Sequence, residues 1–202
     1  AQLVESLEKE HPVGDDAEAD ELLQGLDSIE FRASSLRGRN FGGGIDNAHP
    51  STECAIADID LIFHGKESQV GQGLYPRGPE GLDVTLDLEA ATTAVRVIQI
   101  DCSRTQNGPP RDARVQVDAR GSEDEPWTTI FPLTDLLSLM PPGTKFCPSR
   151  SNPHKETLTL RCTESVGAAQ VCLQFVLSAA NNNCAIHRVC LFGEDSLTKA
   201  AR

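Results

Sequence analysis

The stretch LDVTLDL, residues 82–88, decides the fold. Val84, Leu86 and Leu88 alternate with Asp83, Thr85 and Asp87, a period of two that gives a β-strand one apolar and one solvated face. The same pattern continues through AVRVIQID (94–101), ARVQVDA (113–119), PWTTIFPL (126–133), ETLTLRC (156–162), AAQVCLQFVLS (168–178) and HRVCLFG (187–193). Turn chemistry separates these runs: Asn107-Gly108-Pro109-Pro110, Gly121-Ser122-Glu123-Asp124, Pro141-Pro142-Gly143 and Asn181-Asn182-Asn183. Many short strands with no helical patterns between them point to an antiparallel, all-β sandwich and away from a parallel α/β sheet.

Outward from this block the chain changes character twice. Residues 33–81 are rich in glycine, with Gly42-Gly43-Gly44 and the stretch from Gly71 to Pro79 reading as long loops. Within them AIADIDLIF (55–63) reads as a strand with Ile56, Ile59 and Ile62 partly buried. Residues 1–30 hold ten acids and one base, Lys9, and so carry −9 of the formal net charge of −12. Leu3, Val4 and Leu7, then Leu22, Leu23 and Leu26, have helical spacing, so this segment reads as an acidic helical extension. Two roles suit it: a solvated cap on the domain, or a helix that docks in a partner's groove. The organisation expected is a helical extension over 1–30, a sandwich over 31–195 and a tail over 196–202.

Composition narrows the function. Of the 202 residues 39% are hydrophobic and 24% charged, enough for a core, and no apolar run reaches the roughly 18 residues of a membrane helix. An acidic chain repels nucleic acid unless a local basic patch intervenes. Seven cysteines, an odd number, are spread through strand-like runs and read as buried, reduced thiols; the expected location is the cytoplasm or another reducing compartment. Catalytic constellations are missing: there is no G-x-S-x-G, no H-E-x-x-H, no complete P-loop and no C-x-x-C, so no enzyme and no cofactor is expected. Cys184, His187 and Cys190 invite a zinc reading, but a strand puts His187 on the face opposite the two cysteines. The histidines are scattered, and surface or cap roles are their default.

The segments ASSLRGRNFGGGIDNAHPSTEC, LDVTLDLEAATTAVRVIQIDC, ARVQVDARGSEDEPWTTI and QVCLQFVLSAANNNCAIHRVCLFG, in that order, resemble the discoidin, or coagulation factor five and eight type C, superfamily. The resemblance covers about residues 31–194 and implies a galactose-binding-like jelly-roll sandwich that binds sugars, phospholipid head groups or protein partners through loops at one end. It also implies that Trp127 is buried in the core. Intracellular relatives serve as subunits of larger assemblies, ciliary ones among them. Asp46 and Thr52 match the calcium ligands of some members, but Arg188 stands where their third, acidic ligand aligns, so no metal is expected. No cysteine precedes Cys54, so the terminal disulfide of the extracellular members has no equivalent.

A binding module is therefore expected, and the loops supply its candidates. Arg37, Arg39 and Asn40 come from SLRGRN; Arg104, Gln106, Asn107 and Arg111 from CSRTQNGPPRD; Asn181, Asn182 and Asn183 from AANNNC; and Tyr75, in GLYPRG, is a candidate aromatic platform. Guanidiniums on loops suit carboxylates or phosphates, which favours a protein partner. The alternative is a carbohydrate- or phospholipid-head-group-binding module, disfavoured by an aromatic content of only 4%.

Overall fold

A computed structural model describes residues 20–43, 52–66, 73–89, 93–104, 113–139, 155–163, 167–177 and 184–195. The expected all-β sandwich is the fold observed. Its strands are β1 (Asp27–Ile29), β2 (Phe31–Gly43), β3 (Thr52–Glu53), β4 (Gly73–Leu88), β5 (Thr93–Arg104), β6 (Ala113–Arg120), β7 (Thr128–Asp135), β8 (Lys155–Arg161), β9 (Gly167–Ala168), β10 (Gln170–Leu177) and β11 (Cys184–Asp195). One helix, α1 (Ile56–Phe63), sits between β3 and β4. Residues 20–23 are helical, in keeping with the leucine spacing there, and β1 then pairs with β11, so the sheet includes residues 27–29.

The two layers are joined through β4. Its second half, Leu82–Asp87, pairs with β10, which pairs with β6, which pairs with β7. Its first half meets β11 at Leu74↔Ile186, and β11 leads to β5 and β8. The bend between layers falls at Gly38 and Gly81, where the register of β2 on β4 jumps from Gly38↔Leu82 to Arg39↔Arg77. Both glycines have positive φ, 106° and 68°, and a Cβ on Gly38 would lie 2.3 Å from the carbonyl oxygen of Gly81. Only glycine fits so close a backbone approach. At the far side, the Thr163 amide donates to Ile130 O at 2.8 Å, bringing the end of β8 against β7.

The core follows from the alternation. Leu82, Val84 and Leu86 of β4 pack with Val171, Leu173 and Phe175 of β10 and Val115 and Val117 of β6, facing Ile98, Ile100, Leu158, Leu160, Val189 and Leu191 of the other layer. Buried apolar area of this extent is the main favourable term of folding, at roughly 25 cal/mol per Å².

Two expectations over residues 33–81 are corrected. SLRGRN is not a loop: residues 31–43 form β2, and 73–77 are strand as well. Their pattern breaks because Gly38 and Gly81 carry a bend, not a turn. AIADIDLIF is not a strand but gives α1, since Ile56, Ile59, Ile62 and Phe63 recur at helical spacing and three of them, Ile59, Ile62 and Phe63, are buried. The helix is fastened to β2 from both its body and its end. Asp60 Oδ1 accepts the Ala33 amide at 2.8 Å, and His64, the C-cap, places Nε2 3.0 Å from Phe31 O and stacks on the Phe31 ring.

Candidate functional site

β6 and β7 form a hairpin whose connection, GSEDEPW, is acidic and tight. The Glu125 amide donates to Ser122 O, and the Gly121 amide to Glu125 Oε2 at 3.3 Å. Arg120, the last residue of β6, donates from Nη1 to Glu123 O at 2.8 Å and places its guanidinium 4.3 Å from the centre of the Trp127 ring. Such a cation over an indole face is worth about 0.5–1 kcal/mol when exposed and fixes the ring's orientation. Trp127 remains 38% exposed. The expectation that it is buried in the core is thus corrected. It precedes the first strand residue, Thr128, and the inward positions of β7 are taken by Ile130 and Phe131.

From Arg120 a line of polar contacts crosses the outer face of this layer. Its Nε donates to Gln170 Oε1 at 2.7 Å; Gln170 Nε2 donates to Asp87 Oδ1 at 2.7 Å; Ser34 Oγ donates to the same oxygen at 2.8 Å. The register explains the line. Arg120 is opposite Gln170, Gln170 opposite Asp87, and Asp87 opposite Arg32, so one transverse row runs over β6, β10, β4 and β2. Directly opposed residues share a face, with Cβ atoms about 5 Å apart.

Two further rows lie beside it. Thr129 donates to Asp118 Oδ1 at 2.8 Å, and Asp118 is opposite Cys172, itself opposite Thr85. Arg37 pairs with Asp83 at 3.2 Å, and Asp83 is opposite Gln174. Asp118, Gln170 and Cys172 are buried by these neighbours even though they lie on the outer face. Burial raises the Cys172 thiol to about 11, Asp83 adding to the effect.

The sequence-derived candidates separate sharply. Arg37 and Arg39 are exposed, but on a strand. Asn40 is only 1% exposed and donates Nδ2 to Cys54 O at 3.0 Å, which makes it a strut between β2 and the segment before α1 and not a contact for a partner. Tyr75 is also 1% exposed, inside β4, and cannot serve as a platform. Arg104 ends β5, its backbone opposite Cys184. Gln106, Asn107, Arg111, Asn181, Asn182 and Asn183 lie outside the described residues, as does Asp46.

Of the histidines, His64 is a cap as expected, whereas His187 is buried in β11 beside a register shift between Ile186 and Arg188. Among the described residues no group of three or more His, Cys, Asp or Glu side chains gathers as a metal site, and no helix is long and apolar enough to cross a membrane. Among the described residues Cys54, Cys162, Cys172 and Cys190 are thiols outside any disulfide, and Cys54, Cys102, Cys162 and Cys172 are buried.

Sequence reasoning passed over Arg120, Gln170 and Asp87. Each sits at an outward position of an alternating strand, and that much was legible; their side-by-side placement depends on register between strands far apart in sequence.

No protein-family model matches the chain, and no curated protein matches it. Solved structures similar to it include the carbohydrate-binding module CBM32-6 produced by Clostridium perfringens, at 12% identity and a TM-score of 0.42, covering 83% of this chain and 95% of that one. The C-terminal domain of a chitobiase from Bacteroides fragilis is similar at 13% identity and a TM-score of 0.40, over 83% and 98% of the two chains. Allantoicase from Saccharomyces cerevisiae is similar at 12% identity and a TM-score of 0.47, over 84% of this chain but only 43% of its own. These are likenesses at low identity and at TM-scores below 0.5, and they name no family for this chain.

Proposed function

We propose that the chain is a non-catalytic binding module for carbohydrate and that Trp127 is the surface on which a sugar ring packs. One observation carries this reading: the sole tryptophan of the chain stands 38% exposed at a hairpin end, oriented by the Arg120 guanidinium and adjoining a face of hydrogen-bonding side chains. A sugar presents a C–H face that packs on an aromatic ring and hydroxyls that need polar partners close by. Here Trp127 offers the ring, and Arg120 and the row behind it offer the polar groups.

The same residue supplies the test. Because Trp127 is the sole tryptophan, intrinsic fluorescence excited at the red edge of the absorption band, beyond the absorption of tyrosine, reports its environment alone. A glycan array picks the sugars, and titration of a hit should shift or quench the emission. Trp127→Ala should lose at least about tenfold in affinity, a change of about 1.4 kcal/mol. A hit that W127A binds as tightly as the parent chain overturns the proposal.

A protein partner is the second reading. It draws on Arg37, 87% exposed at its side chain, and on Arg39, exposed further along the same strand. A pull-down lost on replacing both arginines, with W127A unaffected, favours it.

A further inference from the structure

We infer that the sugar site is extended: a neutral oligosaccharide lies across the strands, from Trp127 along Arg120, Gln170 and Asp87 to Arg32. This rests on the carbohydrate reading of Trp127 and adds to it the direction, length and charge of the ligand.

Direction and length come from register. Arg120, Gln170, Asp87 and Arg32 are successive cross-strand partners, so three inter-strand spacings separate the ends, roughly 14 Å between the Cα atoms. That exceeds the span of a single hexose, and Trp127 extends it at the Arg120 end.

Chemistry comes from the side chains. Gln170 is buried and spends its carboxamide tying Arg120 to Asp87, so the groups offered to a ligand are the Arg120 and Arg32 guanidiniums on either side of the Asp87 carboxylate, donors flanking an acceptor, which suits hydroxyls that both donate and accept. The row is already ordered by its own bonds of 2.7, 2.7 and 2.8 Å, so little rotamer freedom remains to be lost when a ligand arrives. Gln170 and Ser34 both donate to Asp87 Oδ1, leaving Oδ2 as an acceptor for a ligand hydroxyl.

Charge fixes the class. On this face Arg32, Arg37, Arg114 and Arg120 are matched by Asp83, Asp87, Asp118 and Asp135. A sulfated or uronic chain would meet as many carboxylates as guanidiniums and would gain nothing from the field of the face, whereas a neutral glycan needs only the hydrogen bonds.

The experiment is a fluorescence titration with a homologous neutral series, monosaccharide to hexasaccharide, of the glycan type found on the array, together with a sulfated counterpart. Affinity should rise by about tenfold or more with length. Arg32→Ala, at the exposed far end of the row, and Asp87→Asn should each weaken the long oligosaccharide by about fivefold or more, and R32A, which lies outside the bonds that hold Arg120 against Trp127, should leave the monosaccharide and its Trp127 signal unchanged. Unaltered melting temperature in R32A separates this from misfolding. Affinity independent of length, or long-chain binding untouched by R32A and D87N, overturns the extended site while the Trp127 reading stands. Preference for the sulfated chain overturns the neutral assignment. If no member of the array moves the emission, both readings fall.

Discussion

Tyr75 and Trp127 are each the sole residue of their type, and both lie beside glycine, proline and charge, in GLYPRG and GSEDEPW. Their regions end in opposite places. Tyr75 is sealed in β4 near the bend between layers, while Trp127 stands in water at the mouth of a hairpin. Turn-forming neighbours show that a chain changes course; they do not show which way a ring points. In the first region Gly38 and Gly81 let two strands bend together and keep their pairing, so Tyr75 stays inside. In the second the chain reverses fully, and Trp127 falls one residue short of the strand that would have turned it inward.

The largest expected effect tests that contrast directly. Tyr75→Ala should cost about 3–5 kcal/mol, the range for large-to-small replacement of a fully buried aromatic, and W127A well under that, about 1 kcal/mol at most. Urea unfolding of both variants checks it, and equal losses would break the comparison. Asn40 and Arg37, three residues apart on β2, give a smaller version. Asn40→Ala strands the buried Cys54 carbonyl and should cost about 1–3 kcal/mol. Arg37→Ala removes a largely exposed ion pair and should leave the urea midpoint within error.

The buried thiols sharpen the contrast through pH. Burial pushes Cys162 up to about 12 and Cys54 to about 11, from an ordinary value of 9.0. Above pH 9 the unfolded chain gives up these protons while the native one keeps them, so stability is unaffected below pH 9 and falls as pH rises toward 11–12. Urea midpoints at pH 8 and pH 10.5 should differ accordingly. Alkylation at pH 8 should be slow at Cys162 in the native protein and fast in urea.

How much of this the sequence carried depends on range. Strands from Leu82 onward were plain, because alternation within a strand is local. The strand expected over 55–63 fails because Ile56, Ile59 and Ile62 are three apart, a helical spacing that a strand would split between two faces, and the run is short enough to pass for a strand by its isoleucines alone. β2 was missed because Ser34, Ser35, Arg37 and Arg39 leave too few apolar positions to alternate. For the site, outward positions were legible one strand at a time, and the row was not: Gln170 meets Asp87 across 83 residues of chain. The buried roles of Asn40 and Tyr75 also escaped, since a satisfied polar group inside a fold looks like any loop residue in sequence.

β11 has a consequence for how the molecule is made. It pairs with β1, β4 and β5, so the middle of one layer is filled by the last strand of the described chain. A ribosome releases that strand after all the others, and until Cys184–Asp195 emerges β4 and β5 have no strand between them. The nascent chain must therefore wait with apolar edges open, a state suited to chaperones and prone to aggregation. Truncations that stop before residue 184 should be insoluble rather than smaller versions of the same domain.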